Sequence, residues 1–183
     1  MNENSNHEQK KDGLDRLSQA YERMLGLVHE GVERFEQDGL PHLRERLDQA
    51  REKMVELGEL SREEADRLST YLQRDLEDAG KFLADTGEEF RTWLSIDASL
   101  IEARMLHMLA SVADQTSLQL KQWAERARLA PYKTGEITGP GVLQCKACGE
   151  EVHFHKVGRI PPCPKCHGSE FQRTEDRGQR TED

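Results

Sequence analysis

The sequence predicts a mainly α fold: a long antiparallel helical hairpin or bundle of about four helices, followed by a small C-terminal β module. Three observations carry this. In residues 1–130, Ala, Glu, Lys, Leu and Arg fill 67 positions, the composition of long helices and coiled coils. Apolar residues recur there at steps of three and four, the period of one helix face. At Pro131 the composition changes, since five of the six prolines and all four cysteines lie at or beyond it. Charge divides at the same point. Residues 1–130 hold 18 Lys+Arg against 27 Asp+Glu and residues 131–183 hold 8 against 8, so the net −9 belongs wholly to the helical region.

The elements follow in order. Residues 1–9 are polar and predict a disordered tail. Leu14, Leu17, Tyr21, Met24, Val28, Val32 and Phe35 form one stripe of a helix over about 10–37. Asp38-Gly39-Leu40-Pro41 breaks it. Leu43, Leu47, Ala50, Met54 and Leu57 mark a second helix that ends near Gly58. Ser61-Arg62-Glu63-Glu64 fits a capping box, in which hydroxyl and carboxylate each satisfy an orphan amide. A third helix follows, with Ala65, Leu68, Leu72, Leu76, Ala79, Leu83, Phe90 and Leu94 on one stripe to about residue 95. Asp97 or Ser99 is the candidate cap of a fourth, reaching about residue 129 and antiparallel to the third. Ten of the fourteen residues 100–113 are apolar, so this helix must touch more than one neighbour.

The helical region shows no catalytic constellation. A di-iron bundle needs paired Glu-x-x-His motifs on facing helices, and the sole such spacing, Glu150 to His153, falls outside them. His29-Glu30-Gly31-Val32-Glu33 puts Glu33 where a helical zinc-protease motif needs its second histidine, so it reads as solvated surface. His107 reads as a packed core histidine, and Trp93 and Trp123 as packing anchors.

The C-terminal part carries the chemistry. Cys145-Lys-Ala-Cys148 and Cys163-Pro-Lys-Cys166 are two C-x2-C pairs separated by fourteen residues. Tight turns of this kind, joined by a β-hairpin, present four thiolates tetrahedrally, which predicts one structural Zn2+ in a zinc ribbon over 142–173. Val142-Leu-Gln144, Glu151–His155 and Glu170–Arg173 are its strands, with Val152 and Phe154 on one face and His153 and His155 outward. Leu143, Val152, Phe154, Ile160 and Phe171 are too few for a core of this size, so metal binding must supply the rest. Residues 131–141 read as a linker and 174–183 as a disordered tail. Disulfides, a redox C-x-x-C and C-x-x-C-H haem attachment are rival readings. They lack, in turn, an export signal, a βαβ context and a use for Cys145 and Cys148. His167 is expected beside the metal rather than bound to it.

The runs Gly58-Glu-Leu-Ser-Arg62, Arg74-Asp-Leu-Glu77 and Thr134-Gly-Glu-Ile137, leading to the cysteine pairs, resemble the YbeL-like bacterial zinc ribbon proteins over roughly residues 14–173. The resemblance implies a helical region with a terminal zinc ribbon in the bacterial cytoplasm, metal ligation by Cys145, Cys148, Cys163 and Cys166, and no established activity. One departure is His167, where such ribbons usually carry glycine. The expectation is a non-enzymatic cytoplasmic protein with one structural zinc and protein partners. Nucleic-acid binding through the ribbon is the alternative, and a homo-oligomer is compatible with either. The Lys, Arg, Asp and Glu of residues 142–173, summed with four thiolates and Zn2+, cancel, which leaves no electrostatic footprint for a polyanion. No apolar run approaches the ~18 residues of a membrane helix.

Overall fold

The structure is a computed structural model, and it describes residues 3–33, 43–86, 94, 98–115 and 131–174. It consists of helices followed by a small antiparallel sheet that carries the cysteine cluster. Among the described residues, four helices, α1 (Glu3–Glu33), α2 (Leu43–Glu56), α3 (Arg62–Thr86) and α4 (Ala103–Gln115), are accompanied by a short 3-10 turn at Ala98–Leu100. Among the described residues no helix is long and apolar enough to cross a membrane.

α1 is the hub, packing against α2, α3 and α4. The stripe read from its sequence is its buried face: Tyr21, Met24, Val28 and Val32 are buried, with Leu25 beside them. The helix begins at Glu3, so residues 3–9, expected as a disordered tail, are helical. The second helix buries Leu43, Leu47, Ala50 and Met54. Leu57, expected on the same stripe, is 49% exposed. The reason lies in the turn. Gly58 takes φ 69° and donates to the Val55 carbonyl, while the Glu59 amide donates to Met54, the two bonds of a glycine-ended helix. Past that turn it is Leu60 that goes inward.

Ser61 opens α3 as the capping motif predicts. The Ser61 amide donates to Glu64 Oε2 at 2.9 Å, and the Glu64 amide donates to Ser61 Oγ at 3.3 Å. Arg16 of α1 clamps this corner by donating to the Glu59 carbonyl at 3.1 Å and pairing with Glu64. Ala65, Leu68, Leu72, Leu76 and Ala79 are buried as expected, while Phe90 lies outside the described residues.

The fourth helix differs from its expectation. The Leu106 amide donates to the Glu102 carbonyl, which puts the cap of α4 at Glu102 rather than Ser99, while Asp97 lies outside the described residues. Among the described residues α4 packs chiefly on α1 and less on α3. Met105, Met108, Leu109, Val112 and Ala113 of α4, with Ile101 just before it, are buried in the helical core. His107 is exposed, contrary to its reading as core, and His29, read as surface, is buried. The two imidazoles meet edge-on with centroids 5.3 Å apart, because α4 crosses α1 at that point. Trp93, Trp123 and the stretches 34–42, 116–130 and 175–183 lie outside the described residues.

Among the described residues six strands follow: β1 (Tyr132–Lys133), β2 (Ile137–Thr138), β3 (Gly141–Cys145), β4 (Glu151–Phe154), β5 (Gly158–Arg159) and β6 (Glu170–Arg173). One antiparallel sheet has the order β1-β6-β3-β4, and β2 pairs with β5. β3, β4 and β6 are the three strands read from the sequence. Residues 131–141, expected as a linker, instead supply β1 and β2 and the first residue of β3. A two-residue strand has too little periodicity to be read from sequence and forms only because its partners are already in place. The ribbon core contains Tyr132, Leu143, Phe154, Ile160 and Phe171 with the cysteines, while Ile137 and Val157 join the helical core. The ribbon is therefore seated on the helices, so packing against them contributes to its stability.

Candidate metal centre

The two cysteine turns are built alike. In the first, the Gly149 amide donates to the Cys145 carbonyl at 2.9 Å and the Cys145 amide to the Glu150 carbonyl at 2.8 Å. In the second, the His167 amide donates to the Cys163 carbonyl at 2.9 Å and the Cys163 amide to the Gly168 carbonyl at 3.0 Å. Each turn ends with a left-handed residue directly after its second cysteine, Gly149 at φ 75° and His167 at φ 59°. The unusual histidine thus occupies the position where the first turn uses glycine, and its exposed ring is not among the clustered ligands. Gly168 is needed for room: a Cβ there would lie 3.2 Å from both Cys145 Sγ and Cys166 Sγ.

These turns bring the Sγ atoms of Cys145, Cys148, Cys163 and Cys166 within 4.8 Å of one another. Cys145 and Cys166 sulfurs are 3.6 Å apart and those of Cys148 and Cys163 3.5 Å, each contact joining opposite turns. A disulfide would need about 2.05 Å. Four sulfurs about 2.3 Å from a tetrahedral Zn2+ stand about 3.8 Å from each other. The donor set and its spacing therefore fit a closed four-thiolate metal site and not a disulfide framework.

Backbone amides prepare the thiolates. Burial opposes ionisation of Cys163, but the amides of Cys166 and Lys165 donate to its sulfur, and with its neighbouring thiols they lower it to about 7. The Glu150 amide favours the Cys148 thiolate, yet hydrogen bonds with the other thiols and burial push it up to about 12. The Gly168 amide stands at Cys166 as the Glu150 amide stands at Cys148, repeating the symmetry of the turns. Four adjacent thiols cannot all ionise without a cation among them, so metal binding must release protons. Around the cluster, Lys146 pairs with Glu170 at 3.7 Å and Lys165 with Glu150 at 3.7 Å.

A second constellation, not visible in the sequence, lies where the ribbon meets the helices. Asp75 of α3 is 1% exposed and accepts from Tyr21 Oη at 2.7 Å and from the Gly139 amide at 2.8 Å. Arg173 of β6 reaches Asp75 at 3.4 Å and Asp78 at 3.1 Å, with its side chain 2% exposed. Arg74 pairs with Glu136 and lies over the Tyr132 ring, 3.8 Å from its centroid. Two of the segments carrying the family resemblance, Arg74–Glu77 and Thr134–Ile137, thus meet each other here rather than at the cysteine cluster. Residues so far apart in the chain leave no periodic signal. An arginine ending a strand whose other inward residue is Phe171 was the available hint.

The chain matches the zinc-ribbon containing domain family over residues 30–175, and it belongs to that family. It is 28% identical over 165 residues to uncharacterized protein YbeL of Escherichia coli strain K12, covering 87% of this chain and 97% of the relative. The YbeL proteins of Escherichia coli O6:H1 and O157:H7 match equally. No solved structure matches.

Proposed function

We propose that this member of the zinc-ribbon containing domain family is a non-enzymatic interaction protein. Its ribbon carries one structural Zn2+ on Cys145, Cys148, Cys163 and Cys166, and its acidic helical body is offered to a protein partner. The observation that carries the reading is the closed set of four sulfurs within 4.8 Å, because four thiolates fill the tetrahedral shell of zinc and leave no place for a reacting water. The proposed location is the bacterial cytoplasm, where thiols held at 3.5 and 3.6 Å stay reduced and available to metal. Nucleic acid is the less favoured partner. Of the five Lys and Arg in residues 142–173, Lys146 and Lys165 pair with glutamates and Arg173 is buried, which weighs against a basic patch there.

The test is affinity capture from native bacterial lysate with the full chain and with Cys163→Ser, reading zinc content and captured proteins together. Wild type is expected to hold about one zinc per chain and to enrich a defined protein, or a second copy of itself. Cys163→Ser should lose both. Capture of RNA or DNA at low salt without any protein, or turnover of a substrate by the zinc-loaded chain, would overturn the reading.

A further inference from the structure

We infer that Arg173 is a latch through which metal loading of the ribbon is transmitted to the helical body. The inference rests on the metal reading of the four cysteines and extends it to what the helices sense.

The path is short and continuous. The second cysteine turn ends at Gly168, and β6 starts two residues later at Glu170. The register of β6 is set beside the cluster: Phe171 lies opposite Cys145, and the Lys146 amide donates to the Glu170 carbonyl at 3.0 Å. Side chains alternate along a strand, so Phe171 and Arg173 face inward together, and a slip of one residue would turn both outward. The cysteine turns therefore decide whether Arg173 points at α3.

At the far end Arg173 is held from several sides. It donates to the Pro140 carbonyl at 3.0 Å, to Thr138 Oγ1 at 3.1 Å and to Tyr132 Oη at 3.3 Å, besides its two aspartates. It passes through a notch made by Gly141: at φ 135° a side chain is disfavoured, and a Cβ would stand 2.0 Å from Arg173 Nη1. Asp75 in turn holds Tyr21 of α1, so withdrawal of the guanidinium affects two helices at once. A buried carboxylate that loses its cation is unfavourable where it stands, so the packing around Asp75 and Asp78 must loosen or take up a proton. Loss of metal frees the cysteine turns, the turns free the register of β6, and the helices then lose their buried cation.

Binding linkage makes this testable from the helix side. If zinc in the ribbon tightens the Arg173–Asp78 contact, weakening that contact must weaken zinc binding by the same factor. Asp78 is not among the clustered metal ligands. Zinc uptake by the full apo-chain is measured first, then its affinity by competition with a chromogenic chelator, for wild type and Asp78→Asn. Amide hydrogen exchange of α3 in wild type, with and without zinc, provides a readout that needs no variant. The expected results are a loss of zinc affinity of roughly fivefold or more in Asp78→Asn, and α3 exchange slowed by a similar factor on zinc loading. Zinc uptake with α3 exchange unchanged to within about twofold would overturn the latch and leave the metal site standing. No zinc uptake at all would overturn both.

Discussion

Replacing Arg173 by methionine tests the join between ribbon and helices. The substitution keeps a long, flexible stem and deletes the cation. The guanidinium is 2% exposed and spans Asp75, also 2% exposed at its side chain, and Asp78, at 16%. Asp75 would keep its bonds from Tyr21 and the Gly139 amide, which satisfy part of its charge. Asp78 would keep a 3.3 Å bond from Tyr132 and the weaker attraction of Lys81. Its carboxyl is raised above the usual range by burial, against the pull of Arg173, and without that pull it rises further. Breaking one partner out of a buried pair costs about 3–5 kcal/mol, a large share of the 5–15 kcal/mol of a typical domain. With a urea slope near 2 kcal/mol per molar, the unfolding midpoint of the zinc-loaded chain should fall by about 2 M. The pH dependence has a definite sign. A carboxyl whose folded pKa lies above its unfolded value favours the folded state more as pH falls through the folded pKa, so the deficit should shrink in acid. Arg67→Met is the control, since Arg67 and Glu63 pair at 3.8 Å with side chains 58% and 83% exposed, and should change stability by no more than about 0.5 kcal/mol. A loss for Arg173→Met no larger than the control's would refute the buried pair as a structural tie.

Ser61→Ala removes one half of the capping box and should destabilise the chain by about 1 kcal/mol in chemical denaturation; an unchanged midpoint would mean that Arg16 and Leu60 hold the corner without it. His167→Gly releases a left-handed residue and should stabilise the zinc-loaded chain by about 1 kcal/mol, read as a raised melting temperature. Destabilisation there would show that the imidazole contributes more than its backbone costs. Burial and the neighbouring acids Asp75 and Asp78 hold the phenols of Tyr21 and Tyr132 well above their usual value. Their protonated forms therefore stabilise the fold fully below about pH 10, and that stability is lost as pH rises beyond it toward the folded values. Tyrosinate absorbance should then grow together with loss of helical circular dichroism; all tyrosines ionising with helicity intact would contradict the buried network.

Sequence alone determined whatever depends on near neighbours in the chain. The steps of three and four that placed Tyr21, Met24, Val28 and Val32, the Ser61 cap and Gly58 stop, and the spacing of the two cysteine pairs are all local. A few adjacent residues set the backbone of each turn, so the four clustered cysteine sulfurs could be named without knowing what surrounds them. Tertiary structure decided the rest. It made strands of Tyr132–Lys133 and Ile137–Thr138, which are too short to announce themselves, and it exchanged the surface and core readings of His29 and His107. Above all it carried Arg173 to Asp75, ninety-eight positions away along the chain. A charged residue is read as exposed by default, because an unpaired charge is too unfavourable to bury. Only the folded chain supplies the opposite charges, the tyrosine hydroxyls and the glycine notch that reverse that balance, and no pattern within a single segment can encode them.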